Sequence, residues 1–344
     1  MKLLYEGPLW AGSTSLQRMA AFRRIADLEV IGLDTGFDGA HRPSLWSRLR
    51  WRTRWPEDGL SENQRLVAAV EEHRPDVVFV DNSKVLRRST LAKVRRLGAT
   101  RLVFYTPDDI VAPHNLSRQL RRSFRDWDLF FTTKSFNVRE LADQGVTRAE
   151  LVGKAYAPEV HRPLDRREVG PDFERFDLVF AGTYEAERCQ SLSRLGEAGF
   201  SVVVYGSGWG GRRTHDRVTI RGPVYADDYT RALHHGRLAL GFLRKINRDR
   251  VTQRSVEIPA MARPMLAERT DEHDAYFQNG KEYSGFSSDT ELVEQARLLL
   301  DDDELRRRIG EAGRRRCTES GYSTDHRASF MLSLIDGNPR EPRT

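Results

Sequence analysis

The sequence predicts an α/β protein made of two doubly wound parallel sheets in series, and three observations predict it. Short β-rich apolar runs alternate with helical patterns along most of the chain, the signature of βα units. The alternation lapses in a stretch rich in Pro, Arg and Asp, 161–176, and then restarts. The chain has 344 residues, about twice the usual single-domain length.

In the first half the apolar runs place strands at Leu3–Glu6, Glu29–Leu33, Asp76–Val80, Arg101–Tyr105, Leu129–Thr132 and Leu151–Gly153. Helical stretches separate them at Ser15–Asp27, Asn63–His73, Thr90–Arg96, Asn115–Arg125 and Asn137–Asp143. In the second half the strands are Leu178–Ala181, Val202–Tyr205, Val218–Ile220, Leu238–Leu243 and Met265–Ala267. Helices lie between them at Ala186–Glu197, Asp227–His235 and Val256–Ala262, and from Thr290 onward the pattern is all helical. The organisation is therefore a first domain over 1–160, a linker over 161–176, a second domain over 177–322, and a C-terminal helix with a polar tail over 323–344.

Composition narrows the class. Hydrophobic residues make up 39% and charged residues 31%, enough to bury two ordinary cores under a strongly charged surface. No apolar run is long enough to span a bilayer, and the start, Met1–Gly7, turns acidic too soon for a signal peptide. Cys189 and Cys317 are the only cysteines and have neither metal-ligand nor disulfide-framework spacing, which suits a reducing, cytoplasmic setting. The net charge of +6 favours anionic partners: nucleotide phosphates, nucleic acid or an acidic membrane face.

Ligands of doubly wound sheets bind beyond the carboxyl ends of the strands, so the functional residues are sought there. Phe180-Ala181-Gly182-Thr183-Tyr184-Glu185-Ala186-Glu187-Arg188 reads as strand, turn and helix start, where backbone N–H groups and an Arg can hold an anion. The plain alternative is a Gly that ends a strand and a solvated Arg. Arg254–Glu268 reads as a helix followed by Pro264 and a buried strand. Glu257 sits early in that helix, where its two oxygens suit a ribose diol or simply a favourable helix position. Gly206-Ser207-Gly208-Trp209-Gly210 follows another strand and is either a loop at the ligand or a plain turn.

The run from Arg254 through Glu268 and on to Tyr283 resembles the C-terminal domain of GT-B glycosyltransferases, closest to the spore-maturation-like group. The resemblance implies two Rossmann-like domains facing across a cleft, with the donor nucleotide-sugar held mainly by the second and the acceptor side formed by the first. In that family a Glu seven residues before a Pro binds the donor ribose, the spacing of Glu257 and Pro264 here. The family's earlier acidic residue falls at Asp249. Its phosphate-binding cations fall at Thr183 and Arg188, so one cation is kept and one is lost, and Arg254 or Arg244 is left to supply the second charge. The implied donor set is thus Gly182, Thr183, Arg188, Gly206, Trp209, Asp249, Arg254 and Glu257. No cofactor and no metal are implied. The acidic run Asp301-Asp302-Asp303 reads as a helix cap, not a metal motif.

The first half matches that family by architecture only. Gly12 and Ser13 follow the first strand in a loop without a dinucleotide fingerprint. Lys134 follows the fifth strand. Asp109, after the fourth, reads as a base toward an acceptor hydroxyl or as a turn residue, with His114 the competing base. Leu45–Trp55, with Trp46, Trp51, Trp55 and Arg48, Arg50, Arg52, Arg54, suits an anionic membrane surface, a lipid-linked acceptor or a polyanion, or a covering loop with its Trp residues turned inward. The partners implied are a nucleotide-sugar and an acceptor glycan, lipid-linked sugar or small molecule. The setting is cytoplasmic, with peripheral contact at an acidic membrane face as an option.

Other classes fit less well. A phosphoacceptor receiver needs an acidic pair after its first strand, where this chain has Gly7-Pro8. None of the known nucleic-acid-reading motifs is present. A nucleotide-sugar epimerase of the same fold, or a non-catalytic sugar-nucleotide-binding subunit, shares the donor site and stays open.

Overall fold

The computed structural model describes residues 1–36, 50, 52–99 and 101–337. Trp46, Arg48, Trp51 and the end of the polar tail lie outside them. The chain forms two compact units, Met1–Gly153 with the helix Thr324–Ile335, and Lys154–Ser323.

The first unit is a six-stranded sheet of β1 (Lys2–Gly7), β2 (Glu29–Asp34), β3 (Val77–Asp81), β4 (Arg101–Thr106), β5 (Leu129–Thr132) and β6 (Ala149–Leu151). All pairs are parallel, in the order β2-β1-β3-β4-β5-β6. β3 and β5 are buried along their whole length because helices cover both faces, so their sequences read as continuous apolar runs. Leu4, Val78, Val80, Phe104 and Phe130 pack on one face against helices Glu62–His73 and Arg88–Arg96. Leu3, Tyr5, Phe79, Tyr105 and Phe131 point the other way, toward helix Thr14–Arg23 and toward Met331, Leu334 and Ile335 of the last helix. The last helix thus completes the first unit's core.

The second unit repeats the design with β7 (Phe176–Ala181), β8 (Val202–Tyr205), β9 (Val218–Arg221), β10 (Gly236–Gly241), β11 (Met265–Glu268) and β12 (Ser284–Phe286). Its strands are parallel in the order β12-β11-β10-β7-β8-β9. The chain leaves β7 toward β8 on one side and returns to β10 on the other, so a switch point opens between the ends of β7 and β10.

Three expectations need adjusting. Ser284-Gly285-Phe286 forms a strand although it carries no apolar run; it pairs only with β11, at the sheet edge. The sixth strand lies at Ala149–Leu151, ahead of the apolar Leu151–Gly153, because it too is an edge strand with half-exposed side chains. The stretch 161–176 folds onto the second unit: a capping box between Asp165 and Glu168 opens helix Arg166–Val169. The Leu164 N–H donates to His234 Nε2 at 3.1 Å. Asp302 caps the helix Asp303–Glu319 by accepting from the Leu305 N–H at 2.9 Å.

His234 is held as the neutral Nδ1–H tautomer. Its Nε2 accepts from Leu164 while its Nδ1 lies 2.8 Å from the Thr230 carbonyl, so protonation would set two donors against each other. Burial and the Arg263 charge lower its pKa from 6.5 to about 4. A folded pKa below the unfolded one means stability present above the unfolded pKa and lost as pH falls toward 4. The second unit should therefore lose up to about 3 kcal/mol of stability through this group between pH 6.5 and 4. Melting curves across that range should show a shallower acid loss in His234→Asn than in the parent; equal slopes would remove His234 from the acid response.

Candidate functional site

At the β7 end the chain backbone packs on itself. The Gly182 N–H donates to the Tyr205 carbonyl at 2.8 Å, and Trp209 Nε1–H donates to the Gly182 carbonyl at 2.8 Å. A Cβ on Gly206 would lie 2.0 Å from the Gly182 oxygen, so only glycine fits there. Trp209 is 2% exposed and packs edge-on against Phe180 and Tyr184. It fixes the Gly182 turn from the interior and presents no face to solvent. Thr183, next in the chain, is exposed.

Arg188 joins the two sides of the switch point. From the first turn of helix Ala186–Glu197 it donates to the Thr183 carbonyl after β7 at 3.0 Å and to the Leu243 carbonyl after β10 at 2.8 Å. It is 8% exposed. Burial lowers its pKa, Glu185 opposes this, and the neighbouring Arg254 charge lowers it further. Both terminal nitrogens are thus engaged by backbone.

Around Arg188 lies a cavity of about 470 Å³ beyond β10 and β11, lined also by Asp249, Glu185, Lys245 and Glu268. Asp249 accepts from the Asn247 amide at 3.0 Å. Glu268 ends β11 and accepts the Leu243 N–H; burial raises its carboxyl pKa against that hydrogen bond and the Lys245 charge.

Arg254 and Glu257 share the first turn of helix Arg254–Ala260. Glu257 is 6% exposed. One oxygen accepts from the Tyr229 hydroxyl at 2.7 Å, and the other lies 3.6 Å from His161 Nε2. The Ala157 N–H donates to His161 Nδ1 at 2.9 Å, which leaves the proton on Nε2, facing the carboxylate. Burial lowers the His161 pKa, with Glu257 and Glu159 opposing, so the ring is neutral near pH 7. Burial and the Glu257 charge raise the Tyr229 pKa well above its ordinary value, so the phenol remains a donor. Arg254 has no hydrogen bond or ion pair among the described residues, and its Nε is buried. It is the uncommitted cation beside Arg188, whose pKa it depresses, and beside Tyr229.

The structure therefore brings Gly182, Thr183, Arg188, Asp249, Arg254 and Glu257 to the carboxyl ends of one sheet. Gly206 and Trp209 support them from behind. Tyr229 and His161 are additions that the sequence did not offer. His161 sits in a stretch without periodic pattern, and Tyr229 reads as one more apolar helix position; the early Glu257 was the only signal pointing toward them.

In the first unit, Ser13 caps helix Thr14–Arg23 by accepting from the Leu16 N–H at 3.0 Å and donates to the Pro8 carbonyl at 2.6 Å. Gly12 has φ +93, which the turn before that cap requires. Lys134 is buried at the end of β5. Asp109 is fully buried and accepts from the Asn137 amide at 3.0 Å. His114 is exposed. The Asn115 amide links the two, donating to the Asp109 carbonyl at 3.0 Å and lying 3.2 Å from His114 Nε2.

Residues 186–333 match the glycosyl transferase-like family model. No curated protein matches the sequence. Among solved structures, HepE of Anabaena in complex with UDP-glucose is similar with TM-score 0.65 at 12% identity, over 97% of this chain and 100% of that one. Sucrose-phosphate synthase of Thermosynechococcus elongatus is similar with TM-score 0.64 at 11% identity, over 98% of both chains. A Listeria monocytogenes protein assigned as a UDP-N-acetylglucosamine 2-epimerase gives TM-score 0.58 at 16% identity, over 99% of this chain and 98% of that one. The fold is GT-B, and with the family match it supports a glycosyltransferase.

Replacing Arg188 by Met should destabilise the second unit by about 2–3 kcal/mol, because two carbonyls lose a charged donor and the apolar stem is kept. Denaturant unfolding measures this. A loss within experimental error of zero would mean that the bridge between the β7 and β10 ends is not what holds the switch point.

Proposed function

We propose that the chain transfers a glycosyl group from a nucleotide-sugar, most simply a uridine diphosphate sugar, to an acceptor hydroxyl without a metal ion. The observation that carries this reading is a buried carboxylate set one helical turn from an uncommitted arginine, at the carboxyl ends of a doubly wound sheet. Glu257 accepts from the ribose hydroxyls. Tyr229 and His161 position it, each facing one of its oxygens. Arg254 faces the diphosphate and offsets the charge that builds on the leaving nucleotide, the work a metal ion does elsewhere. Arg188 is already engaged by backbone and acts on the phosphates through its charge and by holding the turn at Gly182 and Thr183. Asp249 and Glu268 line the adjoining cavity, with room for the sugar.

On the acceptor side, His114 is the exposed candidate base; its Nε2 accepts from the Asn115 amide, so taking the acceptor's proton requires that hydrogen bond to open first. Asp109 holds the loop beneath it. The spacing of Glu257 and Pro264 supports placement in the spore-maturation-like group. A UDP-bound complex of the Anabaena neighbour supports the uridine nucleotide. The second reading is a nucleotide-sugar epimerase, favoured by the likeness to the Listeria protein; a product with altered sugar and no transfer would select it.

Glu257→Ala should weaken binding of UDP-sugar by about 1–3 kcal/mol, and Tyr229→Phe by less, since it removes a positioning bond and not the ligand itself. Titration calorimetry on folded variants reads both. Unchanged affinity in Glu257→Ala would overturn the ribose assignment. Turnover should survive excess chelator; its loss would overturn the metal-free mechanism.

A further inference from the structure

The acceptor unit carries a cavity of about 480 Å³ lined by Arg52, Arg54, Arg118 and Arg121, with Leu116 and Ser117 at its base. None of the four arginines pairs with a carboxylate among the described residues. Elsewhere on the same unit, arginines find acids: Arg88 and Arg95 pair with Asp126 and Asp128. Four exposed guanidinium groups thus gather around one space, with no carboxylate paired to them among the described residues.

The cluster is also held in place by backbone. The Arg118 N–H donates to the Arg54 carbonyl at 2.7 Å, and the Gln119 amide donates to the Pro56 carbonyl at 2.8 Å. Arg54 itself sits at φ +57, a left-handed conformation that is unfavourable for a residue with a Cβ. Arg118 and Arg121 lie one turn apart on helix Arg118–Ser123 and so share a face. The neighbouring Arg122 stacks over the Trp55 ring at 4.8 Å, which fixes the Trp end of the segment to the same helix. Backbone hydrogen bonds and the Arg122–Trp55 stack thus hold these exposed side chains around one space.

We infer that this cavity binds an organic phosphate or diphosphate. The planar guanidinium fork matches phosphate oxygens in pairs. The volume exceeds what a bare phosphate fills and falls in the range of small-molecule pockets, leaving room for the group that carries the phosphate, with Leu116 as an apolar wall. Its place in the first unit makes the ligand the charged end of the acceptor. That last identification rests on the glycosyl-transfer reading; the anion site does not.

The test titrates the full chain with inorganic pyrophosphate by calorimetry. It compares the parent with Arg118→Gln/Arg121→Gln, with Arg52→Gln/Arg54→Gln, with Arg254→Gln, and with the exposed control pair Arg314→Gln/Arg315→Gln. Pyrophosphate should bind the parent and the control alike and weaken about tenfold or more in each cavity double variant. Arg254→Gln should keep this binding event, which separates it from the donor site. Melting temperatures of the cavity variants should match the parent, because the four side chains are exposed and carry little of the fold's stability. Sedimentation with phosphatidylcholine vesicles, plain and containing phosphatidic acid, then assigns the source. Binding that requires the acidic lipid and the four arginines places the phosphate on a lipid; pyrophosphate binding without vesicle binding places it on a soluble acceptor. Pyrophosphate affinity unchanged in both cavity variants, or lowered as much by the control pair, overturns the site. Unchanged donor affinity in Glu257→Ala would bear on the glycosyl-transfer reading alone.

Discussion

The second unit depends on one guanidinium placed where a parallel sheet cannot satisfy itself. When the chain leaves β7 to one side and returns at β10 on the other, the carbonyls just past the two strand ends diverge and have no ladder partner. Arg188 donates to both, at Thr183 and at Leu243. Its burial over the Phe180 ring keeps competing water away. Two of the five guanidinium N–H groups are thereby held by backbone carbonyls, and Nε is buried without a hydrogen-bond partner. On the proposed function, Arg254 supplies from a neighbouring element the charge that Thr183 cannot.

How much of this is legible in the sequence depends on whether a residue's role is local. Strands buried on both faces, such as Val77–Asp81, announce themselves as unbroken apolar runs. Edge strands do not, and Ser284–Phe286 pairs on one side only with no apolar run to mark it. Glu257 is readable because its partner in the pattern, Pro264, lies on the same short segment. Its other partners are remote in sequence. His161 reaches it from before β7 and Tyr229 from the helix before β10, and their chemistry is set by backbone groups such as the Ala157 N–H that no side-chain pattern encodes. Trp209 shows the opposite limit. A tryptophan in a Gly-rich loop after a strand suggests stacking on a nucleotide, yet the close approach of Gly182 and Gly206 leaves a hole in the interior that the indole fills.

The two units answer acid in opposite senses. In the second, His161, His234 and His273 are buried with lowered pKa values, so acid works against the fold. In the first, Glu6 is fully buried, and neither of its oxygens has a hydrogen-bond partner. Burial and the neighbouring Glu62 raise its pKa well above the usual carboxylate range. Burial likewise raises that of Glu62 to about 7, against the hydrogen bond from Ser83. A carboxyl whose folded pKa is raised contributes stability that is present below its unfolded pKa and lost as pH rises. Through these groups the first unit is favoured by mild acid and the second by neutral pH, with Glu268, whose pKa is raised, opposing the histidines of its own unit.

Much of the surface charge is matched locally, as where Arg307 meets Glu304 and Glu311 along one helix. Such exposed pairs contribute little to stability. Among the described residues, the cations without a carboxylate partner include Arg254, beside a buried carboxylate in one unit, and the arginines around Leu116 in the other. A partly buried unmatched cation is a cost that an anion relieves, whereas an exposed one is solvated by water and screened by salt. A nucleotide-sugar would relieve the first. The second, on the inference above, lies within the first unit, and occupancy of each site would stabilise its own unit.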